Sequence, residues 1–116
     1  MTAALQALLD RVEAGEFPAD TSARDLGIAS DGLPIIKTMY SAFSGSLDAA
    51  KALHEAVLPG CAWFIESAYR GDAPTAAIEG HGISVDASND NPARAWLIAI
   101  LRAHIAATVA ENEGGV

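Results

Sequence analysis

Only one cysteine, Cys61, stands in the chain, so no disulfide can close within it and a reducing compartment is expected. Basic residues are scarce: 7 Lys and Arg face 15 Asp and Glu, a net charge of -8. That balance repels nucleic acid and anionic membrane, and neither is expected as a partner. Long apolar runs are missing. The best one, Ala95 to Leu101, stops at Arg102, well short of the roughly 20 residues a membrane span needs. Residues 1 to 20 carry Asp10, Arg11, Glu13 and Glu16 where a signal peptide needs an apolar region. A soluble, cytoplasmic protein is the expectation. Aromatics make up only 6%, and Trp63, Phe64, Tyr69 and Trp96 are expected in the core.

What is present is enough apolar material for a core, 51% of 116 residues, and a length that fits one domain over 1–116. Negative charge is densest early, where Asp10, Glu13, Glu16, Asp20, Asp25 and Asp31 face Arg11 and Arg24. This serves solubility or offers an acidic surface to a basic partner.

Local patterns predict an α+β chain. Residues 2–15 read as a helix, with Thr2 as cap, Leu5, Leu8, Leu9 and Val12 as stripe, and Gly15 and Pro18 as stops. Residues 17–45 are irregular, with a short helix possible over 20–27 and a turn over 29–34. "IIKTMYSAF" at 35–43 fits a strand or a helix. Residues 46–58 read as a helix capped by Ser46, with Leu47, Ala50, Leu53 and Val57 inward and Pro59-Gly60 as the stop. A strand follows over 61–70. Trp63, Ile65, Ser67 and Tyr69 take one face, and Ala62, Phe64, Glu66 and Ala68 the other. Strands at 75–79 and 82–86, parted by Gly80-His81, complete an antiparallel meander. Asn91 caps a last helix over 92–111 with Pro92 in its first position.

That last helix carries a core stripe of Leu97, Ile100, Leu101, His104 and Ile105. It also carries a ridge of Ala95, Ala99, Ala103, Ala106 and Ala110. A helix apolar nearly all round needs cover on more than one side, from a helix of the same chain or from a second subunit.

Reactive constellations find no support. "DASNDN" at 86–91 imitates the start of a calcium loop, but Asn91 and Pro92 stand where that loop needs a glycine and its sequel. Loop polarity and helix capping account for it. His54, His81 and His104 are spaced too widely for a zinc site. Of them, His104 on the core stripe is expected to be the buried one. Cys61 reads as a small core residue, and Glu66 and Glu79 as residues of a solvated sheet face. No catalytic residue, metal or cofactor is expected. The candidate protein-binding residues are Met39, Tyr40 and Phe43, beside Ile36 in the irregular stretch, and Ala95, Ala99, Arg102 and Ala106 on the last helix. The first group is either a flap packed on the domain or an exposed contact site.

The stretches "YSAFSGSLDAAKALHEAVLPGCAW" and "NPARAWLIAILRAHIA" resemble the phage ABA sandwich domain family. The matching residues are Tyr40, Ser46, Leu47, Asp48, Ala49, Ala50, Leu58, Pro59, Gly60, Trp63, Pro92, Ala93, Ala95 and Leu101. "LLDRVEAGE" and "DLG" fit the family's opening. Residues 28–45 lack its Trp-rich segment, and Trp96 stands at a usually aliphatic position. The resemblance implies alpha/beta/alpha layering and a phage or prophage origin. It leads to the expectation of a non-catalytic accessory protein that binds another protein. An inhibitor of a host defence complex is the specific version, and a structural or oligomerisation component of a phage assembly is the alternative. A protein partner is expected, and a homodimer is possible.

Overall fold

The structure, a computed structural model, describes residues 3–18, 34–66 and 73–114. The short helix read over 20–27, most of the turn over 29–34, Thr2, and the last part of the strand read over 61–70, with Tyr69, lie outside the described residues. Helix α1 spans Ala3–Glu13 and buries Leu5, Leu8, Leu9 and Val12. It closes through Gly15 N–H to Val12 O at 3.0 Å and Glu16 N–H to Arg11 O at 2.9 Å. Gly15 sits at φ +90°, a left-handed conformation in which glycine carries no Cβ penalty.

The ambiguous stretch is a helix, α2, Ile35–Phe43. Burial of Ile35, Met39 and Ala42 at i, i+4 and i+7 outweighs the strand preference of its β-branched residues. Helix α3 spans Leu47–Val57, and Ser46 Oγ accepts from Ala49 N–H at 3.1 Å, as a capping serine should. Its buried face is Ala50, Leu53 and His54. Leu47, expected inward, is 44% exposed because it lies at the margin of that stripe.

Strands β1 (Ala62–Glu66), β2 (Thr75–Gly80) and β3 (Ile83–Ser88) form an antiparallel meander in the order β1-β2-β3. The β2–β3 turn is His81-Gly82, both at positive φ (52° and 79°), one residue beyond the expected break. Two such residues twist a two-residue loop in the sense the flanking strands require. Helix α4 spans Pro92–Gly114. Asn91 Oδ1 accepts from Ala93 N–H at 3.0 Å and Arg94 N–H at 3.3 Å. Asn89 Oδ1 accepts from Asn91 N–H at 3.0 Å. The polar loop is therefore occupied with capping.

Among the described residues the α+β domain thus has four helices and a three-stranded antiparallel sheet. The register puts Trp63, Ile65, Ala76, Ile78, Val85 and Ala87 on one face of the sheet, and α4 packs there against β2 and β3. Helices α1, α2 and α3 pack on α4 in turn. Ala93, residues 95 to 101 and Ala103 are consequently buried on all sides of α4. The other face holds Ala62, Phe64, Glu66, Thr75, Ala77, Glu79, Ser84, Asp86 and Ser88. No described helix covers it. Phe64, expected in the core, is 53% exposed there, because strand alternation sends it away from Trp63. Trp63 is itself 39% exposed, while Trp96 is buried as expected.

Candidate binding surface

The turn after α1 delivers Phe17 onto α2. There Ile36, Tyr40 and Phe43 share one face at i, i+4 and i+7. Phe17 packs tilted against Tyr40 and Phe43, with ring centroids 5.8 and 5.7 Å apart. Arg94 from the first turn of α4 fixes the end of α2. Its guanidinium lies 3.9 Å from the Phe43 ring centroid, and its Nε donates to the Phe43 carbonyl at 3.0 Å. Phe17, Ile36, Lys37 and Tyr40 line an open cleft of about 490 Å³. Tyr40 is 55% exposed, the largest fraction among the big apolar side chains described. Lys37 supplies an exposed charge at the rim.

The residues singled out from the sequence divide. Tyr40 and Phe43 belong to this cluster. Met39 does not: it points from the opposite side of α2 into the core and is fully buried. Ala95 and Ala99 are also fully buried, as is Ala103, so the alanine ridge is internal along this length. Small residues there let neighbouring helices approach α4 closely. Ala106 is half-buried, and the Ala110 side chain lies outside the described residues. Arg102 is a tie within the fold. Its Nη1 donates to the Asp86 carbonyl in β3 at 2.6 Å, and its Nη2 meets Glu13 of α1 at 3.3 Å.

Neither Phe17 nor Lys37 stands out in the sequence. The 36, 40, 43 spacing signals the α2 face, but nothing local links Phe17 to it. The buried histidine is His54, 2% exposed, and not His104, which is half-buried. Glu66 and Glu79 lie on the open sheet face at opposite ends, opposite Thr75 and Ala62 respectively, and do not pair. Among the described residues no group of three or more His, Cys, Asp or Glu is placed to hold a metal ion. No described helix is long and apolar enough to cross a membrane. No family model, curated protein or solved structure matches the chain.

Proposed function

We propose that this chain is a phage- or prophage-encoded accessory protein that acts by binding another protein, without catalysis, and that the Phe17–Tyr40 cleft seats the partner. The observation that carries the reading is Tyr40: an aromatic ring more than half exposed on a helix whose other face is locked into the core. Rigid, amphipathic aromatics beside an open cleft are what protein interfaces use as anchors, because they offer contact area at small entropic cost. Phe17 and Ile36 supply the apolar floor, and the Tyr40 hydroxyl and Lys37 supply polar contacts at the rim. The resemblance to the phage sandwich family supports the phage setting, and inhibition of a host defence complex is the specific form of the proposal. The alternative, a structural part of a phage assembly, draws on the apolar β1 strand.

The test is affinity capture from the native host with the wild-type chain and with Tyr40→Ala, read by mass spectrometry. A protein retained by the wild type and lost with Tyr40→Ala supports the cleft. Equal retention by both forms rejects it.

A further inference from the structure

The two edges of the sheet are built differently. β3 is tied at its middle, where Arg102 holds the Asp86 carbonyl and is itself held by Glu13. β1 has no neighbour on its outer side among the described residues, and its sequence is "AWFIE". Edge strands that avoid self-pairing carry lysines, prolines, bulges or inward charges. β1 carries none of these before its terminal Glu66. Both its faces are apolar and open to water: Phe64 on the uncovered side is 53% exposed, and Trp63 on the helix side 39%. The core-facing row therefore runs off the edge unfinished, since Trp63 stacks on Trp96 at 4.4 Å and still shows more than a third of its surface.

We infer that β1 is an association edge whose occupant is a second copy of this chain, paired antiparallel about a two-fold axis at Phe64. Strand pairing satisfies the outward backbone groups of both copies. Centring at Phe64 overlaps all five β1 residues. It places Phe64 against Phe64, Trp63 against the second copy's Ile65, and Ala62 against the second copy's Glu66. No like charges meet, whereas centring at Glu66 would oppose two carboxylates. Trp63 and Ile65 of both copies would then close the unfinished row above the helical layer. The result is a six-stranded sheet with an isologous interface, the commonest form of oligomer. It goes beyond the cleft and leaves Tyr40 free on each copy.

The experiment is sedimentation of the full chain across a concentration series, at low and high salt. A species of twice the 11.9 kDa chain mass is expected. Salt should favour it, because each copy carries a net charge of -8 and screening relieves their repulsion. Phe64→Lys opposes two ammonium groups at the axis and should weaken association by at least about tenfold. At concentrations where both proteins are monomeric, its far-UV spectrum and melting should match the wild type, since Phe64 is exposed in the single copy. Ala62→Lys should tighten the dimer by facing Glu66 of the second copy, and Ala62→Glu should loosen it. A monomer persisting at about 0.5 mM overturns the inference, including the case in which a foreign strand is the true occupant. So does a dimer indifferent to Phe64→Lys. If that variant fails to fold, the sign of the Ala62 pair decides, and equal dimer strength in Ala62→Lys and Ala62→Glu overturns the inference.

Discussion

The indole N–H of Trp96 donates to Nδ1 of His54 at 3.3 Å, and the other ring nitrogen of His54, Nε2, donates to the Cys61 carbonyl at 2.9 Å. One acceptor and one donor are thus in use, which assigns the neutral tautomer with its proton on Nε2. The imidazole fastens the corner between α3 and β1 to α4. It works where the chain has no slack, since Leu58 N–H bonds back to His54 O at 2.8 Å and Cys61 N–H to Leu58 O at 3.1 Å.

Trp96→Phe removes the N–H and leaves Nδ1 of a buried ring without its donor. An unsatisfied buried acceptor costs about 1–3 kcal/mol, with packing loss added. Urea denaturation should show a lowered midpoint. In a double-mutant cycle with His54→Ala the two losses should be less than additive, since both break one contact. Simple additivity would show that the pair is not coupled.

Adjacent positions on α2 should behave oppositely. Met39→Ala opens a cavity in the core and should cost about 2–5 kcal/mol. Tyr40→Ala trims an exposed ring and should change stability by less than about 1 kcal/mol. Equal losses in denaturation would mean that Tyr40 is a packing residue and no surface anchor.

Arg102→Ala breaks two contacts at once, to the Asp86 carbonyl and to Glu13. The carbonyl bond is charge-assisted, and the ion pair, with both side chains 39% exposed, adds little. A loss of about 1–2 kcal/mol is expected in chemical denaturation. Glu13→Gln should cost less than half of that, because it leaves the carbonyl bond in place. If Glu13→Gln costs as much, the ion pair dominates and this ranking is wrong.

Much of this fold was legible in the chain because its signals agree with one another. In α3, Ser46, Asp48 and Pro59-Gly60 mark both ends, and Ala50 and Leu53 keep helical spacing. In the meander, period-2 alternation and Gly-containing turns leave little choice. The sequence misleads where its signals are local and the deciding term is not. Residues 35–43 are apolar at both strand and helix periods, and only burial of Ile35, Met39 and Ala42 against other elements selects the helix. Leu47 and His54 exchanged roles because each borders the α3 stripe, and the Trp96 bond that draws His54 inward spans 42 positions. Phe64 reads as a core residue in the sequence because a sheet covered on one face and a sheet covered on two share the same alternation. The cleft was half visible: Tyr40 and Phe43 could be picked from the chain, whereas Phe17 joins them only through the fold.

Ala99→Glu tests the internal ridge. Ala99 is fully buried at the middle of α4, between the sheet layer and the helices behind it. A glutamate there has no room, because the neighbouring elements approach to the distance that an alanine Cβ allows. The two arginines described in α4 are also taken: Arg94 is engaged with Phe43, and Arg102 with Asp86 and Glu13. A buried, unpaired carboxylate together with overpacking should cost more than about 3 kcal/mol, a large share of a small domain's stability. Circular dichroism should show a largely unfolded chain or a steep fall in melting temperature. Phe64→Lys should leave the fold intact, so the two variants separate core from edge. An Ala99→Glu chain that melts like the wild type but changes mass in sedimentation would place the ridge in a subunit interface and contradict the packing described for α4.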